Sequence, residues 1–376
     1  MKDLRLLQVI PSLNSGGVEQ GTIDVANYIS HYYGSENFII SSGGKMLSQI
    51  NRKNLIHFTE PVHSKNPLTI LKNIKKIRNI VRSNNINLIH VRSRAPAWSV
   101  YYACKNICKT SSTFHNIYGN ENFLKKIYNK RMGMMNKIVA ISDYVKEGII
   151  DNYGISKKKI VVIHRGIDID FYDPLISHEN YFLEFISKYE FPAEKKIILF
   201  PGRLTRWKGQ IEFLKVIESL DYKKFKCFFV GDDANQSYAQ RLINLINKKK
   251  LGSVCKITGK LSQKDLRMFY KNSDIVVSAP TKPEGFGRII SEALSMKKIV
   301  LAYDYGGAKE QMLGLDKLYA VKPNNIDEFV KKINTVINLS YETKEDLGEI
   351  ARKHVTERFS KKEMLDNYLK FYNSLI

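Results

Sequence analysis

The chain has 376 residues, 43% hydrophobic and 11% aromatic, which suits two ordinary domains better than one. Sixty Lys and Arg against 37 Asp and Glu give a net charge of +23, which directs attention to nucleic acid, an anionic membrane surface or an anionic substrate. No apolar run approaches the ~20 residues of a membrane span. The four cysteines, Cys104, Cys108, Cys227 and Cys255, lack the spacing of a zinc site or disulfide framework and read as reduced thiols, the first two sharing one helix face.

The positive charge is uneven: residues 1–170 hold 25 Lys and Arg against 11 Asp and Glu, and residues 171–376 hold 35 against 26. Lysine is nevertheless spread through every segment, so a generally Lys-rich composition also fits.

In chain order, Met1, Lys2 and Asp3 run straight into a strand pattern without the layout of a signal peptide. Residues 4–10 read as a buried parallel strand, 11–17 as a loop ending in Gly16-Gly17, and 18–30 as a helix. That is the opening of a doubly wound domain, and paired glycines let backbone amides approach a phosphate. Strands at 38–42 and 55–58 precede a basic amphipathic helix over 67–83. Its apolar face is Leu68, Leu71, Ile74, Ile77 and Val81, either packed on the sheet or laid on a membrane surface.

A strand at 87–91 ends in Arg92-Ser93-Arg94, and another ends at His115. The basic, aromatic run 120–131 reads as a cover for a ligand cleft, a lipid-headgroup contact or an ordinary helix. Strands at 137–142 and 159–163 flank a helix at 143–152. Asp168-Ile169-Asp170 spells a metal-holding Asp-X-Asp, but before a linker it reads as structural, as does Asp232-Asp233.

The second half opens with a strand at 196–200 and a strand-to-helix loop holding Arg203 and Lys208, a planar fork and a mobile point charge for phosphate oxygens. Strands at 225–230 and 254–258 follow, the latter leading to Leu261. A β-branched strand at 274–278 then enters Pro280-Thr281-Lys282-Pro283-Glu284-Gly285-Phe286-Gly287-Arg288-Ile289-Ile290-Ser291-Glu292, a loop at a carboxyl strand end that becomes a helix. Ligands bind at such places in open α/β sheets. At about 1.5 Å per helical residue the two glutamates lie roughly 12 Å apart, too far to act on one atom but suited to different parts of an extended ligand. A strand at 299–302, a loop at 304–310 and a polar helix at 362–374 complete the chain, with no internal repeat or low-complexity tract.

The two glutamates separated by seven residues, in the setting Pro-Glu-Gly-Phe-Gly, resemble the signature of the retaining, nucleotide-sugar-dependent glycosyltransferases of family 4, group 1. Gly16-Gly17-Val18-Glu19, the strand ending at His115, and Arg203 with Lys208 resemble further parts of the same pattern. The resemblance implies the α/β GT-B fold, two Rossmann-like doubly wound domains facing a central cleft. Residues 1–170 would bind the acceptor and 171–355 the nucleotide sugar, with a helix at 356–376 returning to the first domain.

It further implies site roles. Arg203 and Lys208 would hold the donor diphosphate, helped by amides of Gly16 and Gly17. Glu284, Gly285, Phe286 and Gly287 would orient the sugar, with His115 on its other side; Glu292 would take the ribose hydroxyls, and Leu261 would lie by the base. Fixed cations would replace a metal ion, so neither metal nor cofactor is expected beyond the nucleoside-diphosphate sugar itself. The resemblance implies a hexosyltransferase-type reaction by front-face displacement.

The acceptor is expected to be a saccharide or lipid-linked saccharide, as in lipopolysaccharide synthesis, at the cytoplasmic face, with an anionic membrane surface as a further partner and no nucleic acid. Two alternatives stay open. One is a sugar-nucleotide epimerase or phosphorylase on the same fold; the other is a basic nucleic-acid or membrane-binding protein, which leaves the motifs at 203–208 and 284–292 unexplained.

Overall fold

The computed structural model describes residues 4–376 apart from 52, 120–121, 177–178 and 233–235. The expectations placed on Met1 to Asp3, on the start of the run at Asn120 and on Asp233 therefore lie outside the described residues. The chain divides into two compact units, one of Met1–Gly166 with Lys361–Ile376, the other of Ile167–Ser360.

The first unit is a seven-stranded parallel sheet of β1 (Leu6–Val9), β2 (Asn37–Ser41), β3 (Leu55–Thr59), β4 (Leu88–Val91), β5 (Lys109–Phe114), β6 (Lys137–Ala140) and β7 (Ile160–Val162), in the order β3-β2-β1-β4-β5-β6-β7. β1, β2 and β4 are buried at every residue, as strands covered on both faces must be. Leu7 of β1 pairs with Phe38 on one side and Ile89 on the other. The last helix, Lys361–Asn373, belongs to this unit. It packs Met364, Leu365, Tyr368, Phe371 and Tyr372 against Leu4, Leu6, Val25, Ile29, Leu88, Val139 and Ile163.

The second unit is a six-stranded parallel sheet of β8 (Lys196–Pro201), β9 (Phe225–Val230), β10 (Cys255–Gly259), β11 (Ile275–Ser278), β12 (Ile299–Tyr303) and β13 (Ala320–Val321), in the order β10-β9-β8-β11-β12-β13. The order reverses between β8 and β11, whose centres pair at Ile198↔Ile275 and Leu199↔Val276. The loops leaving these two strands therefore emerge side by side, at the switch point where such sheets bind ligands.

Two local expectations need correction. The helix over 67–83 forms from Pro67 to Ser83, capped by Asn66, but only Ile77 and Val81 of the named apolar face are buried. Leu68 and Leu71 remain 69% and 63% exposed, because the helix rests on its neighbour Arg94–Cys104 with Asn73 turned inward. Cys104 and Cys108 do not share a helix: that neighbour ends at Cys104, and a turn through Asn106 in the left-handed region carries the chain to Cys108.

Candidate active site

In the second unit, the loop after β8 carries Arg203 and Lys208, and the loop after β11 carries Glu284 to Gly287. The two are held together by backbone contacts. Thr281 N–H donates to the Trp207 carbonyl at 2.8 Å, and a Cβ on Gly209 would lie 2.1 Å from the Ala279 carbonyl oxygen. On the other flank Leu204 N–H donates to the Asp232 carbonyl at 2.9 Å. Across this seam Lys208 Nζ meets Glu284 Oε1 at 2.6 Å, both side chains less than one-fifth exposed. Arg203, on the same loop as Lys208, is exposed; its carbonyl accepts from the Gln210 amide at 3.1 Å, and no partner for its guanidinium is found among the described residues. One fixed ion pair and one uncommitted cation thus stand at the carboxyl ends of adjacent strands.

The Gly285-Phe286-Gly287 turn is fastened from behind. Phe286 is buried and meets Phe359 edge-to-face, ring centroids 5.7 Å apart. Gln311, fully buried, donates its amide to the carbonyls of Phe286, Gly287 and Gly307 and accepts from the Ser291 hydroxyl. Gly287, at φ +85°, precedes the helix Arg288–Ser295. That conformation suits glycine, and the first-turn amides of the helix favour negative charge.

Glu292 lies inside this helix and is 6% exposed. Its two oxygens accept from the Tyr270 hydroxyl and pair with Arg288, each at 3.0 Å. Burial, then the Glu292 carboxylate, holds the Tyr270 phenol well above its ordinary range, so Tyr270 stays a donor. Leu261, half-buried beyond β10, lies on the opposite side of β8 from Glu292 in strand order.

The first unit holds the other three expected residues. Gly16, at φ +134°, precedes the helix Gly17–Tyr33, whose first turn carries Glu19; a Cβ on Gly16 would lie 2.6 Å from the Glu19 carboxylate. His115 directly follows β5. Both its ring nitrogens are buried, and neither meets a hydrogen-bonding partner among the described residues. Burial first, then the charges of Arg165 and Arg92, hold its pKa well below the usual imidazole range, against a small opposing effect of the Arg92 backbone. A buried, neutral imidazole with no well-formed hydrogen bond beyond this weak approach to the Arg92 backbone is unusual in a protein interior.

Under it lies a polar core that the sequence did not reveal. Arg92 is 1% exposed and donates to Gln8 at 2.7 Å and to Tyr368 at 2.9 Å, while His90 bridges Tyr372 and Thr113 at 2.6 and 2.7 Å. Gln311, Tyr270 and Arg288 were likewise missed in the second unit. Only Arg288 left a readable trace, its spacing of four from Glu292; the others act across distances in sequence that no local pattern encodes. The Asp-X-Asp at 168–170 caps a turn, Asp168 Oδ1 accepting from Phe171 N–H at 3.0 Å.

Comparison with known proteins adds two family matches, residues 182–354 to "Glycosyl transferases group 1" and residues 15–171 to "Glycosyltransferase Family 4". A crystal structure of a glycosyltransferase from Rickettsia africae is 37% identical, with TM-score 0.90, covering 100% of this chain and 99% of that one. The Anabaena protein HepE, solved with UDP and glucose, has the same fold at 19% identity, with TM-score 0.81 over 99% of this chain and 100% of that one. An uncharacterized glycosyltransferase of Methanocaldococcus jannaschii is 26% identical over 268 residues, which span 68% of this chain and 64% of that relative's length.

Proposed function

The chain belongs to the group 1 glycosyltransferases of family 4, with the GT-B fold, and on that basis we propose that it transfers a hexosyl-type sugar from a nucleoside diphosphate to a saccharide or lipid-linked acceptor, with retention. The observation that carries this reading is the Lys208–Glu284 pair at 2.6 Å, beside exposed Arg203, at the switch point of the second sheet.

In this reading Arg203 and Lys208 hold the donor diphosphate. As the bond from the anomeric carbon to the phosphate oxygen breaks, negative charge grows on the leaving group. Cations already fixed in place favour that state over the ground state. Glu284, clamped by Lys208 and by the 2.9 Å bond from Gly307 N–H to its own carbonyl, orients the sugar together with Gly285, Phe286 and Gly287. Glu292 is pre-set by Tyr270 and Arg288 to accept from the ribose hydroxyls, and Leu261 flanks the base.

Gly16, Gly17 and His115 of the first unit serve the same donor. Neutral His115 can donate or accept one hydrogen bond to a sugar hydroxyl. The acceptor oxygen attacks on the face the diphosphate leaves, and its proton passes to a diphosphate oxygen. The cations take the place of a divalent metal.

The basic first half favours an anionic acceptor in cell-surface polysaccharide or lipopolysaccharide synthesis, at the inner face of the cytoplasmic membrane. No described helix is long and apolar enough to cross a membrane.

The test is a thermal-shift screen with UDP, GDP, ADP and CMP and their sugar forms in EDTA. A ligand of the folded state raises Tm. UDP comes first because a structure of the same fold carries it. A rise with one nucleotide that disappears in Arg203→Ala is expected; no rise with any nucleotide would reject the reading.

A further inference from the structure

Cys104 and Cys108 meet across the turn that joins the helix Arg94–Cys104 to β5. Lys105 has φ −51° and ψ 120°, Asn106 has φ +67°, and Ile107 N–H closes the turn onto the Cys104 carbonyl at 3.0 Å. Those are the angles of a type II turn. The chain doubles back, and the two thiols hydrogen-bond to one another.

Both line a cleft of about 1040 Å³ at the amino ends of β4, β5 and β6, where Asn87, Lys109 and Asn136 also line it. His115 stands at the other end of β5, so this cleft is separate from the ligand end of the sheet. Arg82, Lys105 and Lys109 line it with the cysteines, and among the described residues its lining has no Asp or Glu. Positive surroundings favour a thiolate over a thiol.

The two sulfurs are unequal. Cys104 is fully buried and Cys108 is partly exposed. The hydrogen bond from Cys104 holds the Cys108 thiol below its ordinary value, against the opposing effect of burial; the same bond, then burial, pushes Cys104 up. Cys108 is the sulfur that carries charge and meets solvent, and Cys104 waits behind it with its proton. Cys227 and Cys255 pair in register on β9 and β10, but both are buried and both are pushed up, chiefly by that burial. Such cysteines are inert.

We propose that Cys104 and Cys108 form a peroxide-sensitive dithiol, which hydrogen peroxide converts to an intramolecular disulfide. The Cys108 thiolate attacks one peroxide oxygen and the O–O bond breaks. Hydroxide leaves and takes up a proton, and Cys108 becomes a sulfenic acid. The Cys104 sulfur then attacks the Cys108 sulfur, the S–O bond breaks, and the hydroxyl departs with the Cys104 proton as water. Two thiols lose two electrons and two protons, and one peroxide becomes two waters. A dithiol reductant reverses the link by exchange. None of the residues assigned to the donor takes part.

The test treats the full chain, reduced beforehand, with a small molar excess of hydrogen peroxide. The chain is then unfolded in urea, its remaining thiols are blocked with iodoacetamide, and it is digested with trypsin. Lys105 lies between the two cysteines, so peptides 95–105 and 106–109 stay joined only where the disulfide has formed. The joined pair is expected, with a loss of two hydrogens from the intact mass, and Cys227 and Cys255 are expected to react at least about tenfold more slowly. Dithiothreitol is expected to restore the separate peptides. Cys104→Ser is expected to stop at the Cys108 sulfenic acid, which dimedone captures, and Cys108→Ser to leave Cys104 reduced.

Separate, alkylated peptides from the treated parent chain overturn the proposal. So does a disulfide between two chains, or oxidation of Cys104 in Cys108→Ser at the parental rate. Equal oxidation of Cys227 and Cys255 also overturns it, because the reaction would then need no special setting at Cys108.

Discussion

Lys208 and Glu284 are each less than one-fifth exposed, and each is the other's counter-charge. Removing one partner of such a pair strands the other, which is worse than removing both. Lys208→Met is therefore expected to destabilise the chain by about 1–3 kcal/mol, and Lys208→Met/Glu284→Leu to regain most of that. Donor binding should fail in both variants. Urea unfolding and nucleotide titration read the two effects separately, and recovery of binding in the double variant would refute the assigned roles.

His115 gives a pH signature at the same scale. Its folded pKa lies well below the ordinary value, chiefly through burial, so above about pH 6.5 neither state carries the proton and stability is flat. As pH falls below that value the unfolded chain takes up a proton that the folded chain refuses. Stability then declines by up to about 1.4 kcal/mol per pH unit until the folded pKa is reached. His90, also depressed by burial, adds in the same direction. Between pH 7.5 and 5.5, His115→Gln is expected to lose about 1 kcal/mol less than the parent. An equal loss would show that His115 protonates freely in the fold.

At the scale of elements, the loops after β11 and β12 are pressed together through glycine. A Cβ on Gly307 would lie 2.5 Å from the Gly285 oxygen and 2.6 Å from the Phe286 Cα, both backbone atoms that cannot step aside singly. Gly307→Ala is expected to destabilise by about 1–3 kcal/mol and to weaken nucleotide binding, because the shifted backbone is the one that orients Glu284. Gly252→Ala, with open space and no positive φ, should change neither; calorimetry with nucleotide titration checks the pair.

The same contacts show what was legible beforehand. β11, its loop and the following helix could be read because a β-branched run, a Gly-Phe-Gly turn and a helical pattern are consecutive in sequence. β13, a two-residue strand, could not. Nor could Gln311 or Tyr270, buried polar residues whose side-chain partners Ser291 and Glu292 lie 20 and 22 positions away. Leu68 and Leu71 misled for a related reason: the periodicity marks an apolar stripe, but only packing decides how much of it is covered.

For the whole molecule, the order of the chain and the order of the cores differ. Lys361–Ile376 follows the second unit in sequence, yet it belongs to the first unit, with Met1–Gly166. Its five buried side chains lie in the same core as Leu4, Leu6 and Leu88, and its Tyr368 and Tyr372 hydroxyls serve buried Arg92 and His90. At about 1.5–3 kcal/mol per large apolar side chain, their removal forfeits roughly 10 kcal/mol, comparable to the entire stability of a typical domain. It also leaves Arg92 without one of its neutral partners in a site with no described carboxylate.

A chain ending at Ser360 is therefore expected to lose the first unit selectively. Hydrogen exchange should show amides of β1, β2 and β4–β7 unprotected, while β8, β9, β11 and β12, whose sheet contains no residue beyond Ser360, keep theirs. If Arg203 and Lys208 hold the donor as proposed, nucleotide binding should still be measurable in this shortened chain. Uniform loss of protection across both sheets would mean that the second unit does not hold its fold without the first, and the division into two self-sufficient cores would fall.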